Sequence, residues 1–221
     1  MNGATGTGPA HAAAAPRAGV FAHWPNRVTA IRFVGAVVLF VLLEHFGAGV
    51  GGPERTRPDL WMGVAFWLFV LVAATDWLDG HLARKYGNVT AFGRIADPFV
   101  DKILVLGALI FLTALDWARP YLPTWIVVVV LAREFLVTGI RGYAESQGFA
   151  FGADRFGKLK LVVQCVAIGA LLGLFGLPWP DALVRPIEII AHVSVWATLV
   201  TSVGSGVGYV VKAARLLGAP R

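Results

Sequence analysis

From Val28 onward the chain falls into six apolar stretches, each closed by a charge cluster or a Pro/Gly turn. They cover roughly residues 28–46, 60–84, 94–115, 121–145, 157–177 and 185–211. A bilayer core about 30 Å thick needs about 20 helical residues to cross it. In lipid a backbone must satisfy its own polar groups, which leaves helices as the way for such stretches to span. The sequence therefore predicts an all-α integral membrane protein of six transmembrane helices. Composition agrees, with 57% hydrophobic and 14% charged residues, where soluble domains carry about 25% charged. That apolar content also excludes a disordered chain. The lone Cys165 excludes an internal disulfide framework. Residues 1–20, rich in Ala, Gly and Pro, read as a mobile tail without a cleavable signal. Residues 21–215 form the helical domain, and residues 216–221 a short C-terminal tail. No internal repeat is evident.

The six stretches are not equally apolar. Only the last two contain long uncharged runs, Leu161–Pro180 and Ile189–Val211; the first four reach spanning length only by including ionisable residues near one end. An even number of spans places both termini on one side. Of the 19 Lys and Arg residues, Arg55, Arg57, Arg119 and Arg185 fall on the opposite side and the other 15 share the side of the termini. Basic residues are retained in the cytoplasm, so both termini are expected there, in the inner (cell) membrane. The net charge of +6 then reflects topology and anionic headgroups. No nucleic-acid partner is expected, because the charge is not gathered in one soluble module.

Four of the eight aspartates, Asp76, Asp79, Asp97 and Asp101, lie inside or at the ends of two consecutive apolar stretches. Positions i, i+3, i+4 and i+7 share a helix face, which puts Asp76, Asp79, Gly80 and Ala83 on one stripe. Gly93, Asp97 and Asp101 form a second stripe at four-residue spacing. With residues 86–92 turning the chain back, both stripes are expected near the cytoplasmic ends of antiparallel neighbours. Pro98 fits there as a residue of the first helical turn. Each carboxylate in lipid costs about 2.5–3.5 kcal/mol at mid-bilayer and less near the interface. Divalent cations relieve that repulsion, and hard oxygen ligands suit Mg²⁺ or Mn²⁺, two of which can clamp phosphoryl oxygens. The plainer alternative is a structural ion network with Arg84, Arg94 and Lys102.

Read together, these residues spell Asp76-x2-Asp79-Gly80-x2-Ala83-Arg84-x8-Gly93-x3-Asp97-x3-Asp101. The string resembles the motif of the CDP-alcohol phosphatidyltransferases, integral membrane enzymes of phospholipid synthesis, and the resemblance runs from about Pro25 to Gln164. It implies a six-helix fold, usually homodimeric, with a polar cavity open to the cytoplasm. It also implies two divalent cations, Mg²⁺ or Mn²⁺, binding the diphosphate of a CDP-linked donor. By that resemblance Asp76, Asp79 and Asp97 are metal ligands, and Asp101 is a ligand and the general base. Gly80 and Ala83 line the nucleotide pocket with Gly93 and Asp79, and Arg84 contacts donor phosphate. The stretch Pro25-Asn26-x2-Thr29-x2-Arg32 is similar to the start of the family's first helix, which implies that Thr29 faces the cytidine.

The acceptor must be read elsewhere. Arg133 and Arg141 in the fourth stretch, with Lys158 and Lys160 opening the fifth, place four cations near the same side as the aspartates. Fixed Arg and Lys side chains suit a phosphate, so an anionic acceptor is expected; orientation and snorkelling supply the bland account of the same residues. The string AREFLVTGIR with downstream GKLK and Gln164 resembles the branch that transfers phosphatidyl from CDP-diacylglycerol to sn-glycerol 3-phosphate, releasing CMP. Leu161 stands where that branch often has a hydroxyl residue. The alternatives are another acceptor (inositol phosphate or phosphatidylglycerol), a membrane prenyltransferase, and a divalent-cation transporter. Trp61, Trp67, Trp77, Trp117, Trp125 and Trp179 suggest an interfacial belt, His45 and His192 read as structural, and Cys165 as inert core.

Overall fold

The computed structural model describes residues 24–50, 58–86, 91–148 and 155–217; the side chains of 24–25, 76–86, 91–95, 155–156, 158 and 216–217 lie outside that description. The expected tails therefore fall outside it, apart from the last helical residues. Six helices make up all the regular structure of the described residues: α1 (Trp24–Phe46), α2 (Leu60–Tyr86), α3 (Ala91–Ala114), α4 (Thr124–Ser146), α5 (Arg155–Gly176) and α6 (Asp181–Leu217).

Local chemistry sets several boundaries. Asp59 accepts the Met62 backbone N–H at 2.8 Å and caps the start of α2. Pro123, extended at φ −60° and ψ 133°, precedes α4. Gly148 follows the end of α4 at φ +81°, a left-handed conformation that glycine adopts without a Cβ penalty and that closes the last carbonyls.

Three segments are long and apolar enough to cross a membrane, Asn26–Phe46, Leu159–Gly176 and Asp181–Arg215, and Leu60–Thr75 is a shorter apolar piece. The charges of α3 and α4 interrupt their apolar runs. Large apolar side chains face outward on all six helices, among them Ile31, Leu71, Ile110, Phe135, Val162 and Val200. Water would make such a surface a liability, whereas lipid tails match it.

Successive helices run antiparallel. At one end of the bundle Trp117 Nε1 donates to Gly47 O at 2.9 Å and Asp59 N–H to Phe175 O at 3.0 Å. Gly63 and Gly176 bring α2 and α5 into backbone contact there; a Cβ on Gly176 would lie 2.4 Å from Gly63 N. Toward the other end the first half of α1 meets the first half of α3, and the middle of α4 meets the start of α5 and the latter half of α6. The core between them comprises Leu39, Leu43, Phe69, Leu109, Leu112, Ile168 and Leu171. On α6, Ser194, Thr198, Ser202 and Ser205 are buried, small side chains of the kind that let membrane helices approach closely.

Four expectations change. Pro98 lies inside α3 rather than in its first turn, because the helix begins at Ala91; without an N–H it cannot bond the carbonyl four residues back. The last helix extends past 185–211 to Asp181–Leu217, about 55 Å at 1.5 Å per residue, longer than a bilayer core. Trp117 is buried under the loop it pins; its indole N–H finds a carbonyl inside the protein instead of an interface. Cys165 is half-buried and lines an open groove.

Candidate active site

The site begins with α1. Asn26, Thr29 and Arg32, three residues apart, fall on one buried face, the same stripe that continues as Ala36, Leu39 and Leu43. Thr29 Oγ1 donates to Asp97 Oδ1. Arg32 is 4% exposed, and its guanidinium reaches Asp101 Oδ1 at 2.7 Å and Asp97 Oδ1 at 3.6 Å. The planar guanidinium presents several donors in a fixed array, so one arginine bridges two carboxylates a helical turn apart. The carboxylate side chains stay 40% and 27% exposed respectively for Asp97 and Asp101.

The plainer alternative to a metal site was an ion network of the aspartates with Arg84, Arg94 and Lys102. Arg84 and Arg94 lie outside the described side chains, and Lys102 Nζ donates to Thr138 Oγ1 on α4 at 2.5 Å. Among the described residues Arg32, 69 positions before Asp101, is a partner that this network did not include. Its three-residue spacing from Thr29 and Asn26 on an apolar helix was the only signal available.

Asp76, Asp79, Gly80, Ala83 and Arg84 lie on α2 and Gly93 on α3, with side chains outside the description. Among the described residues no three acidic, His or Cys side chains converge, since only half of the aspartate motif belongs to that set. The part that is described fits a hard cation: two carboxylates share one helix face, both partly open. Ala74, two residues before Asp76, lines the same groove as Asp101, which brings the latter half of α2 beside the start of α3.

A second charged cluster joins α4, α5 and α6. Glu134 Oε1 accepts from Arg133 and from Lys160 Nζ. Arg133 also donates to Ser205 Oγ at 2.5 Å and lies over the Tyr209 ring at 5.9 Å. Its stem packs on Gly206, where a Cβ would lie 3.0 Å from Arg133 Cγ. All three charged residues are buried. Among the described residues two cations share one carboxylate, an excess of positive charge that favours a counter-anion. Arg133 and Lys160 are thus brought together through Glu134. Arg141, two turns further along α4, is exposed, because eight residues at 100° each carry it about 80° around the helix. The Lys158 side chain lies outside the description.

Two cavities meet at Asp101. A small one of about 190 Å³ is lined by Pro98, Asp101, Lys102, Glu134, Lys160 and Gln164, among others. An apolar groove of about 420 Å³ between α2, α3 and α5 includes Phe69, Ala73, Leu104, Val162, Cys165 and Gly169, with Asp101 as its charged member. Polar ligand and lipid could therefore approach one carboxylate from different sides.

The chain matches the CDP-alcohol phosphatidyltransferase family over residues 22–204, and it belongs to that family: it is a membrane-embedded CDP-alcohol phosphatidyltransferase. Its relatives narrow the comparison. It is 36% identical over 192 residues to the CDP-diacylglycerol–glycerol-3-phosphate 3-phosphatidyltransferase of Bacillus subtilis (strain 168), covering 85% of this chain and 93% of the relative. It is 38% identical over 200 residues to a probable phosphatidylglycerophosphate synthase of Mycobacterium tuberculosis (strain ATCC 25618 / H37Rv), covering 90% and 86%. A Cereibacter sphaeroides CDP-diacylglycerol–glycerol-3-phosphate 3-phosphatidyltransferase is 32% identical over 161 residues, covering 73% and 68%. The family match runs past Gln164 to residue 204 in α6, further than the motifs alone indicated.

Proposed function

We propose that this phosphatidyltransferase moves the phosphatidyl group of CDP-diacylglycerol to sn-glycerol 3-phosphate, giving phosphatidylglycerophosphate and CMP. The observation that carries this reading is the position of Asp101, shared by an apolar groove and a small polar cavity whose wall includes Lys102 and Lys160 beside Asp101 and Glu134. The groove suits the donor's acyl chains, and the cavity suits a compact anion. The names of the relatives supply the identity of that anion.

In this reading an acceptor hydroxyl attacks the lipid-side phosphorus of the donor. A new P–O bond forms, the P–O bond to CMP breaks, and CMP leaves with the bonding electrons. Asp101 takes the hydroxyl proton. Arg32 and Thr29 hold Asp101 and Asp97 in register before substrate arrives, a form of preorganisation; Thr29 would then face the cytidine end of the donor. Lys160, backed by Glu134 and Arg133, supplies positive charge to the acceptor phosphate, and Arg141 and Lys158 add cations at the same end of the chain's helices. Asp76, Asp79, Asp97 and Asp101 are the residues to hold two divalent ions, Mg²⁺ or Mn²⁺. When bound, these neutralise negative charge on the donor diphosphate. Gly80, Ala83, Arg84 and Gly93 belong to the nucleotide side of the site.

All six helices would cross the inner membrane, with both termini and the site facing the cytoplasm, on the strength of the 15-to-four division of basic residues. The protein would act as a homodimer. The test is an acceptor panel with purified enzyme, CDP-diacylglycerol and Mg²⁺ or Mn²⁺, scored by CMP release. Glycerol 3-phosphate should support turnover; inositol 1-phosphate, serine and phosphatidylglycerol should not. Turnover with one of those three and none with glycerol 3-phosphate would reassign the acceptor.

A further inference from the structure

A cleft of about 620 Å³ lies between α3 and α4, with Phe40 of α1 contributing to its lining. It has no part in the proposed reaction. The Phe40 ring rests against the bare backbone of Gly107, where a Cβ would lie 2.2 Å from Phe40 Cζ. The same ring stacks on Phe111 with centroids 5.1 Å apart. The cleft is therefore formed before any occupant arrives. Phe99 and Phe135 of its lining are largely exposed, so it opens sideways, toward lipid.

Its polarity is graded. Lys102, Glu134 and Thr138 lie at one end, and Leu106, Ile110 and Leu131 continue it as an apolar channel. From Pro98 to Ile110 the α3 wall runs about 18 Å, close to one leaflet of a bilayer core about 30 Å thick. Lys102 donates to Thr138 Oγ1 and, among the described residues, has no carboxylate partner; Glu134 is already shared by Arg133 and Lys160. An ammonium has three donors, so two remain for an anion.

We propose that the cleft holds one phospholipid of the cytoplasmic leaflet with an anionic headgroup, its phosphate at Lys102 and one acyl chain along Leu106, Ile110 and Leu131. A hollow one leaflet deep, cationic at one end and apolar at the other, matches a single amphiphile, and the cytoplasmic leaflet supplies anionic lipid. A second copy fits less well: a two-fold contact centred here sets the same patch against itself, hollow against hollow. Lys102 and Glu134 also line the small cavity beside Asp101, so the bound headgroup borders the reaction site. The proposal does not depend on which acceptor the enzyme uses.

The experiment is native mass spectrometry of the purified full-length enzyme in detergent, titrated separately with phosphatidylglycerol and phosphatidylcholine of the same acyl chains. The unmodified enzyme should retain one lipid per protomer in this site, with phosphatidylglycerol bound about fivefold more tightly, the scale of one lysine near an anionic lipid. Lys102→Met should bring that ratio to unity and leave phosphatidylcholine binding unchanged. Ile110→Trp, at a half-exposed position of the apolar end, should weaken retention of both lipids several-fold with the ratio intact. Ratios are taken on folded, lipid-binding protein, so partial misfolding of a variant does not obscure them. An unmodified enzyme without preference overturns the proposal, as does a preference that survives Lys102→Met. Retention unaffected by Ile110→Trp overturns it too; if that variant instead converts dimers to monomers in the same spectra, a second copy covers the cleft.

Discussion

The two ends of the bundle are built from the same kind of helix and solve opposite problems. At the end where α2 starts and α5 finishes, Gly63 meets Gly176, Trp117 packs against Phe175 with ring centroids 4.3 Å apart, and the indole N–H is tied to Gly47. The ion pairs of that end, Arg119 with Asp116 and Arg185 with Glu188, join residues three apart in the chain. At the other end Arg32 bridges two aspartates, and Arg133, Glu134 and Lys160 form a buried cluster with charge to spare. Close packing fixes the first end; the second retains polar groups that an apolar core would do without. Expensive groups concentrated at one end of a membrane protein mark where its chemistry lies.

Substitutions at the polar end should therefore cost turnover, and those at the packed end should cost stability. The largest effect is expected at Asp101. Replacing it with Asn removes the proton acceptor and should lower CMP release by about 10²–10⁴-fold, with thermal unfolding in detergent little changed. Near-normal turnover by this variant would take Asp101 out of the mechanism. Lys160→Met should raise KM for glycerol 3-phosphate by roughly ten- to a hundredfold, the range for a hydrogen bond to a charged group. KM for CDP-diacylglycerol should stay put; a parallel rise in both would show that Lys160 holds the fold rather than the acceptor.

At the packed end, Gly176→Leu forces a side chain into the backbone of Met62 and Gly63. It should destabilise by about 1–3 kcal/mol, read as a lower unfolding temperature, while kcat per folded molecule is retained. A variant that kept its stability and lost turnover would erase the contrast between the ends. The smallest effect is expected in the groove. Nothing lies within 4 Å of a Cβ at Gly169, so Gly169→Phe should fold and narrow the space for acyl chains. KM should rise a few-fold for a long-chain donor and less for a short-chain one; equal rises would place the acyl chains elsewhere.

Much of this was legible in the residues. Six helices follow from the lengths of the apolar runs, and the structure shifts most boundaries by only a few positions. Asp97 and Asp101 on one face of α3 follow from their four-residue spacing. Arg133 and Lys160 were expected on one side of the membrane; the Glu134 carboxylate that joins them is a matter of packing. Arg141, eight residues after Arg133, is exposed while Arg133 is buried, because helical drift carries it to another face.

By itself the sequence determined the elements and their chemistry, because helix length in lipid and side-chain period along one helix are local properties. Only the tertiary structure decided which distant residues became partners. Arg32 lies 69 positions from Asp101 and Ser205 lies 72 from Arg133; no period within a helix encodes such pairings. They arise from the angle and register at which one helix packs on another. The same packing decided that Gln164 forms part of the cavity wall that also includes Asp101.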